Sequence, residues 1–149
     1  MKFNKSNICF FKVALNEAKK AFKNNEVPVG AVIVKNNKII AKAYNQREKQ
    51  KSVVAHAEIL AIKKASKKNN NWRLNDCDIY TTLEPCEMCL SAIKQSRIKN
   101  IFYILQSQQF NYEKSKKHLN IFKIENAFLE DSIKDLVKNF FIERRKINL

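Results

Sequence analysis

Two short stretches hold residues that could do chemistry together: His56-Ala57-Glu58 and Pro85-Cys86-Glu87-Met88-Cys89. Cysteines three apart share one helix face. A helix N-terminus favours the thiolate, the form that binds metal. A Cys-x-x-Cys pair can be a redox couple, half of a closed structural zinc site, or part of a catalytic zinc site. A closed site needs two more Cys or His in suitable pairs. Cys9 and Cys77 are lone residues in apolar or strand patterns and read as small buried hydrophobes. His118 lies in a polar segment and reads as solvated. His56 is then the best third ligand, with no evident fourth. Three protein ligands plus a water is the arrangement of a catalytic zinc, so about one Zn2+ per chain is expected on His56, Cys86 and Cys89.

Glu58 adds a proton carrier. Residues i and i+2 of a regular helix point roughly 200° apart. His56 and Glu58 therefore approach one site only if the motif straddles a helix start. A carboxylate there could take a proton from water and later return it, acting as base and then as acid. A redox pair would account for the cysteines and leave His56 and Glu58 unused.

The elements that must hold these residues follow from pattern. Ile8, Phe11, Leu15, Ala18 and Phe22 form one helical stripe, with Ser6 as its N-cap. VPVGAVIVKNNKIIAKAY at 27–44 holds two β-rich runs around Asn36-Asn37. Asparagine tolerates positive φ, so this predicts a hairpin with a two-residue turn. A helix is expected over Ala55–Lys68 and a strand over Cys77–Leu83. A helix from Pro85 to about Gln95 follows, with proline in its first turn. Ile101–Leu105 reads as a strand and Gln106–Lys117 as loop or weak helix. Leu119–Ile124 reads as a short edge strand, and Leu129, Ile133, Leu136 and Phe140 mark a C-terminal helix. Strands alternating with helices imply a mixed sheet covered on both faces. The order includes five strands, so the expectation is a three-layer α/β/α fold. The length suits one domain over 1–149.

With 45% hydrophobic and 29% charged residues the chain is globular rather than disordered. Its longest uncharged apolar run, Val27–Val34, is far too short for a bilayer, and a cytoplasmic protein is expected. Twenty-nine Lys and Arg against 14 Asp and Glu give a net charge of +15. Such a surface attracts polyanions through counterion release. Lysine used wherever a polar residue would serve gives the same total, so charge alone does not choose.

H-x-E followed by P-C-x-x-C is the signature of the zinc-dependent nucleobase deaminases. EVPVGAVIV at 26–34, HAEIL at 56–60, TLEPCEMC at 82–89, SRI at 96–98 and FFIERRK at 140–146 extend the likeness over nearly the whole chain. Together they resemble the bacterial tRNA-specific adenosine deaminases, of the cytidine-deaminase-like fold. The resemblance implies hydrolysis of the wobble adenosine of an arginine tRNA to inosine, using water activated by zinc. It also implies a homodimer with the anticodon stem-loop lying across both subunits. His56, Cys86 and Cys89 carry over as zinc ligands and Glu58 as proton shuttle. Asn45, Glu84, Phe141, Arg144 and Arg145 carry over as substrate-binding residues.

Each of the last set has a plainer reading beside it. Asn45 also suits a strand-end turn, and Phe141 also suits core packing against Ile133 and Val137. Two loops depart from the family pattern. Ile104-Leu105-Gln106-Ser107 stands where Gly-Ala-Arg/Lys-Asp is usual, and Ser52-Val53 stands for Asp-Pro. A competing enzyme reading is a zinc deaminase of a free base or nucleoside such as guanine, cytosine or cytidine. The basic tail Arg144-Arg145-Lys146 speaks against it, since a free base needs no polyanion surface. An inactive zinc-stabilised RNA-binding module is a third reading, and it gives Glu58 no task.

Overall fold

The computed structural model describes residues 5–108 and 113–148. The elements run α1 (Lys5–Lys23), β1 (Gly30–Lys35), β2 (Lys38–Tyr44), α2 (Arg47–Gln50), α3 (Ala57–Lys68) and β3 (Cys77–Leu83). After them come α4 (Glu87–Gln95), β4 (Asn100–Leu105), α5 (Glu113–Lys116), β5 (Ile121–Lys123) and α6 (Ala127–Ile147). The sheet order is β2-β1-β3-β4-β5. β1 is antiparallel to both β2 and β3, whereas β3, β4 and β5 are parallel. This is the mixed five-stranded sheet expected from the sequence.

Strand alternation sorts the core into two layers. Val32, Val34, Tyr80, Phe102 and Ile104 face α1 and α6, where Phe10, Phe11, Leu15, Leu129 and Ile133 meet them. Ala31, Ile33, Ile79 and Ile101 face the α3 and α4 side, against Ala57, Ala61, Ala65, Leu90 and Ile93. On the first side an aromatic row crosses the sheet. Phe10 and Phe11 lie 5.1 and 5.2 Å from Tyr80, Tyr80 lies 4.9 Å from Phe102, and Phe102 lies 5.5 Å from Phe122. Each such pair adds about 0.5–1.5 kcal/mol beyond its burial. No helix among the described residues is long and apolar enough to cross a membrane.

The hairpin turns on Asn36 and Asn37, both at positive φ (49° and 63°), as the two-residue turn requires. Three expectations need correction. Ser6 lies inside α1, which is already helical at Lys5, so it does not cap that helix. Pro85 precedes Cys86, the N-cap of α4, and so stands outside the first turn. Cys9 is exposed on α1, whereas Cys77 is buried in β3 as expected. Of the stretch Gln106–Lys117, residues 109–112 lie outside the described set, and the one-turn α5 occupies 113–116.

Gly30, the chain's one glycine, serves space rather than φ. A Cβ there would fall 1.9 Å from the Ala14 carbonyl oxygen and 2.8 Å from the Ala18 nitrogen. The α1 backbone thus rests directly on β1, with Ala14 and Ala18 fully buried. Gly30→Ala is therefore expected to push α1 off the sheet and cost about 2 kcal/mol or more. Denaturant unfolding measures this directly, and an unchanged midpoint would show that the contact is not tight.

Candidate active site

α3 and α4 begin side by side, and each is capped by a residue of interest. His56 is the N-cap of α3 and Cys86 the N-cap of α4, both with extended backbone and neither spending its side chain on a cap hydrogen bond. The extended turn at His56 solves the spacing problem read from the sequence. His56 points in from outside the helix while Glu58 points in from its first turn. His56 Nδ1 lies 3.6 Å from Cys86 Sγ and 3.5 Å from Cys89 Sγ. All three donor atoms lie within 4.8 Å of one another.

The donor set fits zinc. Ligands at about 2.3 Å for sulfur and 2.0–2.1 Å for nitrogen stand about 3.6 Å apart across a tetrahedral angle. Cys9, Cys77 and His118 do not join the group, so the described residues supply three ligands. Two helix N-termini converge here, and both favour negative charge on sulfur. The Cys89 thiol, beside Cys86, and then His56 pull Cys86 down to about 4, against burial. The same contact and deep burial push Cys89 up. His56 is raised, chiefly by its hydrogen bond with Cys86.

Glu58 is 4% exposed. Burial drives its carboxyl above the ordinary carboxylate range, although its own backbone N–H and His56 oppose the shift. Among the described residues no Lys or Arg is ion-paired with it. It faces a cleft of about 460 Å³ shared with His56 and Cys86, within the range of small-ligand sites.

The structure brings three of the five predicted substrate residues to that cleft: Asn45, Glu84 and Phe141. Asn45 is buried, and its amide already serves the backbone. Nδ2 donates to the Val27 carbonyl at 3.2 Å, and Oδ1 accepts from Arg47 N at 3.3 Å. Glu84 is buried too, with Oε1 ion-paired to Lys116 and Oε2 accepting from Ser107 N at 3.0 Å. Phe141 is 44% exposed at the cleft, while its neighbour Phe140 takes the core position, edge-on to Phe22. Arg144 stacks on Phe140 at 5.4 Å and lines a separate hollow with Asn25 and Glu48. Arg145 is exposed.

Sequence reasoning missed Arg47, which lines the cleft together with Ser107 of the substituted loop. It missed the parts that hold them as well. Buried Glu26 accepts from Glu48 N at 3.1 Å and Lys49 N at 2.7 Å, which fixes α2 and hence Arg47. The acidic residue of EVPVGA was visible, but nothing local showed that its partners lie more than twenty residues away.

Comparison with known proteins agrees with this geometry. The family model described as the cytidine and deoxycytidylate deaminase zinc-binding region matches residues 4–105. A tRNA-specific adenosine deaminase of Aquifex aeolicus is 44% identical over 129 residues, covering 87% of this chain and 80% of that protein. A solved structure from a study of A-to-I editing by tRNA:A34 deaminases is 32% identical, with a TM-score of 0.75 over 79% of this chain and 98% of that one. A guanine deaminase from Bacillus subtilis is 28% identical, with a TM-score of 0.64 over 89% of this chain and 93% of that one. A family match that spans both motifs, with a relative this similar over most of its length, settles the kinship: the chain belongs to the zinc-dependent cytidine and deoxycytidylate deaminase family, alongside the tRNA-specific adenosine deaminases.

Proposed function

We propose that this chain hydrolyses the wobble adenosine of a tRNA anticodon to inosine, releasing ammonia. The observation that carries the reading is the meeting of His56 Nδ1 and both sulfurs beside a buried Glu58 in one cleft. His56, Cys86 and Cys89 would hold zinc. Once bound, zinc supplies Lewis-acid chemistry that brings the pKa of water toward neutrality. The chain's own work is proton transfer and placement. Glu58 accepts one proton from the attacking water and delivers it to the ring nitrogen beside C6, then carries a second, from the hydroxyl added at C6, to the departing amine. Its burial raises its hold on that proton, which suits a carrier that must be base and acid in turn.

The likeness to the tRNA enzymes supports RNA over a free base. So does the C-terminal helix: half-exposed Phe141 at the cleft offers a stacking face, and exposed Arg144 and Arg145 follow on the same helix. Asn45 acts here chiefly by fixing the strand exit, with spare hydrogen-bonding capacity toward a base. Two core clusters on a single sheet support one domain over 1–149. Exposed Val53 and Val54, directly before the His56 motif, offer an apolar contact for a second copy, and we read a cytoplasmic homodimer.

An anticodon stem-loop carrying wobble adenosine should yield inosine, while free adenosine, cytidine, cytosine and guanine should not react. Release of product from guanine or cytidine alone would replace this reading with the free-base one. Purified protein should carry about one zinc per chain and lose it on Cys86→Ala; metal analysis without zinc would remove the proposed centre. Glu58→Ala should keep zinc and melting temperature yet lose at least about 10²-fold in kcat, and near-normal turnover would end its role as carrier. Arg144→Ala with Arg145→Ala should weaken stem-loop binding and flatten its salt slope by about one to two.

A further inference from the structure

The loop after β4 departs from the family pattern, and the structure gives it an unusual support. Glu84 lies one residue before Pro85-Cys86, and its backbone N donates to the Leu105 carbonyl at 2.8 Å. Its side chain is 2% exposed and spans a gap in the chain of more than twenty residues on either oxygen. Oε2 accepts from Ser107 N, and Ser107 lines the cleft together with Cys86. Oε1 meets Lys116 Nζ, whose own side chain is only 17% exposed. Lys116 also reaches Glu113 Oε1 at 3.4 Å. A second tie runs parallel on the outside, where Ser115 Oγ donates to Glu87 Oε1 at 2.8 Å. The one-turn α5 is thus fastened to two carboxylates that flank the Cys86 turn.

A buried carboxylate beside a cleft for a polyanion has two faults. It is costly to leave unpaired, and it repels phosphate. A lysine on its far oxygen cures both while leaving the near oxygen to hold the wall. We propose that Lys116 is a positioning residue: acting through Glu84, it fixes the Ser107 wall of the cleft and cancels a negative charge that would otherwise face the RNA. The inference rests on the RNA reading given above, and it moves Glu84 from touching substrate to shaping the wall.

Burial disfavours charge on Lys116, but its hydrogen bond to Glu84 and the negative charges of Glu84 and its neighbours together outweigh this and hold its pKa above the ordinary lysine value. Lys116→Met would strand the Glu84 carboxylate. Glu84→Gln in that background would remove the stranded charge and still offer an oxygen to Ser107 N.

The test uses zinc-loaded protein and an anticodon stem-loop with wobble adenosine. Dissociation constant, KM, kcat, zinc content and melting temperature are measured for each variant. Lys116→Met should raise KM and Kd by about tenfold or more at full zinc content, with a smaller change in kcat. Lys116→Arg should stay near wild type. The double variant with Glu84→Gln should recover most of the lost affinity. A lowered melting temperature with unchanged KM would make the pair merely structural and overturn the proposal. So would a double variant no better than Lys116→Met. A salt slope reduced by about one in Lys116→Met, without recovery in the double variant, would assign Lys116 to direct phosphate contact instead. Wild-type protein that neither binds nor deaminates the stem-loop would overturn the RNA reading, and this inference with it.

Discussion

His56 Nδ1 sits 3.5–3.6 Å from two sulfurs that are 30 and 33 residues away in the chain. That meeting dictates where α3 and α4 must begin. A single ion can be shared only if both helix starts lie at the same end of the sheet, with their positive ends pointing together. Two like-signed helix ends repel each other, and negative sulfur between them relieves the repulsion. The parallel pairing of β3 and β4, with Leu83 opposite Leu105, brings the α4 start beside the β4 exit. The small residues Ala57, Ala61 and Ala65 let α3 pack close to the sheet on the same side. Both motifs are therefore placed by apolar packing well away from the chemistry.

Four glutamates are buried, and their partners separate their tasks. Glu17 meets Lys20 at 2.7 Å. Glu26 receives two backbone N–H groups of α2. Glu84 has a lysine and a backbone N–H. Glu58 alone of the four has no Lys or Arg partner and no long-range backbone donor among the described residues, and burial drives its carboxyl up. A carboxylate tied to a lysine or to distant backbone holds structure; one buried without such a tie is left able to hold a proton. The contrast within one chain argues for a carrier at Glu58 more strongly than its position in a motif does.

What the sequence made legible was local. Asn36-Asn37 pointed to the hairpin, β-rich runs to the strands, and the spacing of His56 and Glu58 required a helix start that the structure supplies at Ala57. What it hid was long-range. The ties of Glu26 to α2 and of Glu84 to Lys116 span 22 to 32 residues and leave no periodic trace. Phe140 and Phe141 are adjacent and chemically alike, so pattern alone could not say which would turn inward. Cys9 misled for a related reason. It sits beside the apolar stripe of α1, yet one step along a helix is about 100°, enough to put it in water.

Glycine usage ties these observations to composition. Seven described non-glycine residues adopt positive φ, four of them asparagines and the others Lys51, Arg97 and His118. The chain thus meets its conformational needs without glycine, at some local cost. Asparagine cannot meet a need for empty space. At Gly30 the Ala14 carbonyl occupies the volume where any side chain would begin. Gly30 N also donates to Thr82 Oγ1 at 3.2 Å, joining β1 to the strand that leads to Cys86. Val29, directly before it, lines the cleft. The contact that seats α1 on one face of the sheet therefore also sets the cleft wall at its edge, so a substitution far from any ligand should be felt at the site.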